Sequence, residues 1–485
     1  MIKINILSHA DYSGQIRRSD ESCGLDYFKK AIDRIRKEDE EHCLLLDAGD
    51  NTSHLLWGDF IPKAVKHLGT DVFELGNHEF DRGEKDLENR ISIMNDEVEI
   101  VCANIIKKKD DSFVEGVKPY TLLKKGNITY GILGLCTEYT PYMVTGPMIE
   151  PFKVLDSVEC ARKYIPEMRL NGAQIIIVLT HFPFYADHTG ELFDVFNQIK
   201  DLHPDVMIGG HIPGDFAEVI DGCAISKAGF GGKSLGHTTL FIDEEKGKVV
   251  DKGVRIIDVI DGEKEKDEET SMILNEVLEP YRYYFEETAA EVTEDIPMYL
   301  DFESPMGDLL ADAVRSEMKT DFAYFNCTSC GRFLPKGKIT RSVIASAMGF
   351  NDYLFVSEYS GKDIYDLFEH IHYPERFGNN GNIFFSGLEV TMDHYQSAGS
   401  KVKEIKKING EELKPDDRFT VVTSEYMCSG GNDTKVISSR VKWTNSGIRI
   451  HDVLWNYFSR FEKIEKKLDN RYWFIGKPEN DNSPW

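Results

Sequence analysis

At 485 residues the chain is too long for one ordinary hydrophobic core, and two domains are the natural expectation. A hydrophobic share of 41% and a charged share of 29% exclude a disordered or fibrous chain. The formal net charge of −26 argues against a nucleic-acid polymer as partner, because phosphate backbones are gripped by clustered Lys and Arg. A small phosphate ester stays open, since a bound divalent ion reverses the field of a carboxylate-lined site.

The chain opens with Ile2, Ile4 and Ile6 alternating against Lys3 and Asn5, which reads as a strand and not as a signal segment. No apolar run is long enough to span a bilayer. The expectation is a cytoplasmic protein with no membrane partner; its oligomeric state is left open. Nine scattered cysteines, among them a single C-x-x-C pair at Cys327 and Cys330, point to free thiols in a reducing compartment.

Short apolar runs at 2–7, 43–46, 72–75, 100–103, 130–135, 175–179 and 206–208 predict strands. Between them Leu25, Phe28, Ile32 and Ile35 recur at helical spacing, as do Val158, Ala161, Ile165 and Met168. The alternation is α/β or α+β organisation. Residues 262–270 are strongly charged, and an amphipathic stretch at 272–291 follows, with Leu274, Val277, Leu278 and Tyr281 on one face. It reads as a helical linker, with a last helix of the first domain as the alternative. The expected division is therefore 1–262, a linker at 263–293, and 294–485. In the second part a helix at 308–318 precedes strands at 322–325, 353–359, 383–392 and 419–423, and a helix covers 452–461.

Five segments place Asp, Asn or His directly after an apolar run, where a sheet delivers side chains to one rim. They are HAD at 9–11, DAGD at 47–50, GNHEFD at 76–81, THF at 180–182 and GGH at 209–211. One carboxylate or histidine after a strand is usually a turn former or cap. Five along one domain call for a common chemistry.

In order and spelling these segments resemble the calcineurin-like metallophosphoesterases, and the second half is similar to the 5′-nucleotidase and UDP-sugar hydrolase family. The resemblance implies a layered β-sandwich flanked by helices, then an α+β substrate-binding domain. It also implies a two-metal site in which two divalent ions clamp a phosphoryl group and acidify a water. Asp50 matches the bridging carboxylate, Asn77, His181 and His211 the other ligands of the second ion, and Asp11 a ligand of the first. Mixed nitrogen and oxygen ligation suits Mn, Zn, Co or Fe. His78 matches the family's non-ligand histidine at the phosphoryl group, and Asp81 the carboxylate that orients it.

The sequence departs from the family pattern at the first ion. Ser13 stands where a histidine is expected, and Pro213, which offers no side-chain ligand, stands two residues beyond His211. His9, expected on the same strand face as Asp11, and His54 are candidate replacements.

In the second half, the resemblance marks Arg332 as a substrate-binding arginine and Phe350 and Tyr426 as aromatics that sandwich a base. Asn351 and Asn432 or Asp433 would supply polar contacts. The implied function is release of phosphate from a nucleotide or related ester by in-line attack of a metal-bound hydroxide. The alternatives are a 2′,3′-cyclic-nucleotide phosphodiesterase and a nucleotide-binding pseudoenzyme.

Overall fold

A computed structural model describes residues 1–19, 22–51, 59–243, 247–300, 303–331, 333–371, 382–393, 395–397 and 399–476. The chain divides into two compact units, Met1–Glu279 and Pro280–Trp485.

The first unit is built on two sheets. One has seven strands, with Ile2–His9, Cys43–Asp47, Val72–Glu74 and Glu99–Val101 running parallel at its centre. The other has six, and its parallel core is Ile128–Cys136, Ile175–His181, Val206–Ile208 and Cys223–Lys227. Strands buried on both faces read as continuous apolar runs, which is why the sequence marks them so clearly. Alternate residues face opposite ways. Ile4, Ile6, Leu44, Leu46, Ile175, Ile177, Leu179 and Ile208 fill the space between the sheets. On the outer face of the six-stranded sheet, Leu133, Ile176, Val178 and Met207 pack with residues of the helices Ser157–Leu170 and Glu191–Ile199. Phe73, Leu75 and Ile100 do the same for Phe60–Leu68 and Gly83–Met94 beside the seven-stranded sheet. The result is the expected sandwich flanked by helices.

The amphipathic stretch at 272–291 is not one helix. Glu268–Leu278 ends at a short 3-10 turn over Glu279–Tyr281, Arg282–Glu286 forms a second helix, and Ala290–Val292 is a strand. Pro280, lacking an N–H and clashing with the preceding turn, accounts for the break. Glu268–Leu278 is tied to the first unit, where the Ser271 hydroxyl donates to Asp26 at 2.8 Å and His67 Nε2 lies 2.8 Å from Thr270 Oγ1.

The second unit is organised by a five-stranded sheet in the order Ile383–Ser386, Phe322–Asn326, Arg418–Ser424, Tyr353–Ser360, Thr444–Arg449. Ala323, Phe325 and Val422 face residues of the helices Pro305–Met318, Arg341–Ala347 and Ile450–Phe458. Phe322, Tyr324 and Val421 face the helix Gly361–Ile371 and a small sheet of Leu388–Asp393, Val402–Lys407 and Tyr472–Ile475. The single strand expected at 383–392 is thus two strands in two sheets. Gly387 divides them at φ 111°, and a Cβ there would lie 2.1 Å from the Asp321 carbonyl oxygen. Only glycine fits both demands.

No helix among the described residues is long and apolar enough to cross a membrane. None of the nine cysteines, Cys327 and Cys330 included, is in a disulfide.

Candidate metal centre and its surroundings

The parallel strands of both sheets end at one rim. Asp11 follows Ile2–His9, Asp50 follows Cys43–Asp47, and Asn77 and His78 follow Val72–Glu74. His181 closes Ile175–His181, and His211 follows Val206–Ile208. The two sheets meet where His181 Nδ1 lies 2.5 Å from the Ala48 carbonyl oxygen.

Asp11, Asp50 and His211 all have left-handed backbones, with φ of 55°, 58° and 72°. Such a conformation costs a non-glycine residue about 1–3 kcal/mol and persists only when its surroundings over-determine it. Here each strained residue has its amide engaged. Asp11 N donates to the Gly49 carbonyl at 2.8 Å, Asp50 N to Glu79 Oε2 at 2.8 Å, and His211 N to Asp11 Oδ2 at 2.9 Å. Glu79 also accepts from Asn51 N at 3.1 Å and Gly76 N at 2.8 Å, so one buried carboxylate holds both loops that carry Asp50 and Asn77.

Asp50, His181 and His211 bring one ligand atom each within 4.8 Å of one another. Asp50 Oδ2 is 2.8 Å from His181 Nε2, and Asn77 Oδ1 is 2.9 Å from His211 Nδ1. Asn77 Nδ2 is buried and makes no hydrogen bond among the described residues. Buried polar atoms left so are costly unless something else engages them. Burial works against a charged His181, yet Asp50 and Asp11 override it and hold its pKa up to about 9, so these carboxylates demand a positive charge between them. Burial, with the His181 charge beside it, pushes His211 down to about 3 and keeps it the neutral imidazole that ligation requires. Convergent oxygen and nitrogen donors, an unpaired buried amide and a demand for positive charge fit a divalent cation held by Asp50, Asn77, His181 and His211.

The first-ion position does not fit in the same way. Ser13 N and Oγ are spent on the Asp50 carbonyl, at 3.2 and 3.4 Å, and Pro213 is exposed. His9 closes its strand two residues before the left-handed Asp11, and its buried Nδ1 and Nε2 make no hydrogen bond among the described residues. It lies edge-on to Phe28, with ring centroids 5.1 Å apart, and its Nε2 is 3.7 Å from Asp47 Oδ2. His54 lies outside the described residues.

His78 sits beside this cluster. Its Nδ1 is 2.9 Å from Asp81 Oδ2, its Nε2 is 3.8 Å from Asp50 Oδ2, and its amide donates to Asp50 Oδ1 at 2.8 Å. Burial opposes its charge, but Asp81 and Asp50 prevail and hold the pKa up to about 10.

In the second unit, Phe350 is 37% exposed, a surface aromatic at the end of the turn that precedes Tyr353–Ser360. Asn351 is committed to its own loop, accepting the Arg449 guanidinium on its carbonyl at 2.7 Å and His451 N on Oδ1 at 3.0 Å. Tyr426 is half-buried. Its hydroxyl donates to Asn432 Oδ1 at 3.1 Å, and Gly431 lies so close that a Cβ there would be 2.4 Å from the ring. One flank of that ring is therefore taken by the turn it supports. Arg332 and the side chain of Asp433 fall outside the described residues.

Two stretches of the chain match known families, calcineurin-like phosphoesterase over residues 9–215 and the 5′-nucleotidase C-terminal domain over residues 291–439. The chain belongs to the 5′-nucleotidase family of phosphoric ester hydrolases. Among its relatives is an apyrase of Aedes aegypti, 25% identical, the match covering 90% of this chain and 84% of the apyrase. The endonuclease YhcR of Bacillus subtilis is 26% identical over 88% of this chain, which spans only 37% of that protein's length. A 5′-nucleotidase precursor from Thermus thermophilus has the same fold, with a TM-score of 0.83, 21% identity and coverage of 98% of this chain and all of the other. The family binds divalent metals, in keeping with the cluster at the rim.

Two contributors to this rim, Glu79 inside GNHEFD and Lys227 outside the five segments, are given no role by the sequence reading. Glu79 has a visible signal, because a glutamate three residues after Gly76 has the spacing of a capping box. Lys227 ends an apolar run, CAISK, like the ligands themselves. It is 3% exposed, and burial draws its pKa down to about 8 against the pull of Asp11 and Asp215.

Proposed function

We propose that this chain is a metal-dependent phosphohydrolase that releases phosphate from a nucleotide. The observation that carries this reading is the convergence of Asp50, Asn77, His181 and His211 at one buried point, with the His78–Asp81 pair beside it. A divalent ion held by those four residues supplies Lewis acidity toward water and a phosphoryl oxygen.

The chain's own residues do the rest. The Ala48 carbonyl accepts a hydrogen bond from His181 Nδ1–H, orienting the ring so that Nε2 turns toward Asp50. Asp81 holds the His78 ring by Nδ1, and the protonated Nε2, 3.8 Å from Asp50 Oδ2, can donate to a phosphoryl oxygen as charge develops on it. Glu79 keeps the Asp50 and Asn77 loops from moving apart. Phe350, with Asn351 and the turn built on Tyr426 and Asn432, is the candidate nucleoside-recognition surface, a stacked aromatic contributing about 1–3 kcal/mol per base.

Ser13 and Pro213 favour a second reading, a chain that binds nucleotide without turning it over. Phosphate release separates the two. The protein is stripped, reloaded with Mn²⁺, Zn²⁺, Co²⁺ or Mg²⁺, and offered nucleoside mono-, di- and cyclic phosphates, with Asp50→Asn as control. Metal-dependent release that vanishes in the control supports the hydrolase. Nucleotide binding with neither phosphate release nor, by chromatography, ring opening of the cyclic substrates in any metal replaces it with the second reading.

A further inference from the structure

Lys227 stands at the C-terminal end of Cys223–Lys227, the strand parallel to and paired with Val206–Ile208. Its ammonium donates to the Phe184 carbonyl at 2.9 Å and to the Pro213 carbonyl at 3.4 Å, and it lies 4.6 Å from the centre of the Phe184 ring. Phe184 is three residues beyond His181, and Pro213 two beyond His211. One buried cation thus ties together the two loops that bring in the histidine ligands. Its charge is offset by Asp11 and Asp215.

A nearly fully buried ammonium is costly to maintain, and a structural tie between two carbonyls does not require a full charge. A phosphate ester does call for positive charge at this rim, and among the described residues the two positions at which the family supplies further ligands beside Asp11 do not supply them here, with Ser13 turned to the Asp50 carbonyl and Pro213 without a ligand atom. Pro213, which stands where a ligand is missing, is also the residue whose carbonyl receives the lysine.

We infer that Lys227 replaces the first metal ion: it supplies the fixed positive charge on the Asp11 side and locks the His181 and His211 loops, so that the centre works with one divalent cation. No bond is made or broken at Lys227; it acts as a charge and a tether. The inference rests on the hydrolase reading above.

The test counts metal and measures phosphate binding on the full chain. Wild type, Lys227→Met and Lys227→Arg are equilibrated with Mn²⁺, freed of excess by gel filtration, and assayed for Mn per chain by mass spectrometry. Inorganic phosphate is then titrated calorimetrically into each Mn-loaded protein. One Mn per chain in the wild type is expected, with phosphate binding at least tenfold weaker in Lys227→Met and within about threefold of wild type in Lys227→Arg. Two tightly held Mn in the wild type overturn the inference, as does a folded Lys227→Met that binds phosphate like the wild type. Should Lys227→Met fail to fold, the wild-type metal count and the phosphate affinity of Lys227→Arg still decide. Asp50→Asn separates the two ideas: if it keeps its Mn, the metal centre itself is misassigned; if it loses Mn while the wild type holds two, only the lysine's role falls.

Discussion

Gly76 is the tightest point of the candidate centre, and its replacement by alanine isolates one cause. Its backbone, at φ −82° and ψ −179°, is open to any residue, so Gly76→Ala introduces no conformational strain. The added Cβ would lie 2.2 Å from Asp50 Oδ1 and 2.8 Å from Asp50 Cγ. Ordinary van der Waals contact begins at 3.4 Å, which leaves a shortfall of 3.4 − 2.2 = 1.2 Å at the oxygen. The carboxylate has little room to yield, because Oδ1 accepts the His78 amide at 2.8 Å while Oδ2 faces His181 Nε2 at 2.8 Å. Metal ligands tolerate displacements of about 0.2 Å. A shift of about 1 Å at a reacting centre costs roughly 100-fold. Overpacking of this kind costs about 1–3 kcal/mol of stability, too little to unfold most domains. The expected protein is folded by circular dichroism, binds Mn²⁺ about 100-fold more weakly, and releases phosphate from nucleotide at about 1% of the wild-type rate or less. A folded Gly76→Ala with wild-type Mn²⁺ affinity and turnover would refute the claim that Asp50 must sit where it does.

Glu79→Gln places a donor where three amides already donate, so about 2–4 kcal/mol of stability and at least tenfold in metal affinity should be lost, as read by urea unfolding and metal titration. In the second unit Asp312 accepts from Arg471, Lys466 and Ser386; burial works against its charge, but these partners hold its pKa at about 2 against an ordinary 3.8. Its contribution is therefore full above pH 4 and is lost as pH falls from 4 toward 2. Asp312→Asn should cost about 2–3 kcal/mol at pH 7 and flatten the loss of stability between pH 4 and 2 in acid-unfolding curves. Phe350→Ala should raise KM for a nucleotide about 5- to 50-fold with little change in kcat, and leave turnover of a phosphate ester without a base unaltered; equal losses on both would remove Phe350 from base recognition.

Most of the first unit is legible in the sequence because its parallel strands are apolar on both faces, and each motif begins where such a run stops. For that reason the five segments that carry Asp11, Asp50, Asn77, His181 and His211 stand out before any geometry, while the ligand roles come from the family resemblance. His9 is expected beside Asp11 by extending the strand alternation, whereas the left-handed turn at Asp11 appears only in three dimensions. Gly387 and Pro280 are visible as letters, but the hydrophobic runs on either side outweigh them, so that one strand is expected where there are two and one helix where there are several. Lys227 shares the ligands' signal, the end of an apolar run, but a lysine after a strand is ordinarily a solvated end. Its burial depends on Phe184 and Pro213, which come from two other loops.

The bend at Gly387 has a consequence for how the second unit comes apart. Two strands separated by a single residue belong to different sheets, so neither sheet can detach without pulling on the other's hydrogen-bonded ladder. The unit should lose its slowest-exchanging amides in one step, those of Phe322–Asn326 together with those of Leu388–Asp393, instead of shedding the small sheet first as a peripheral layer.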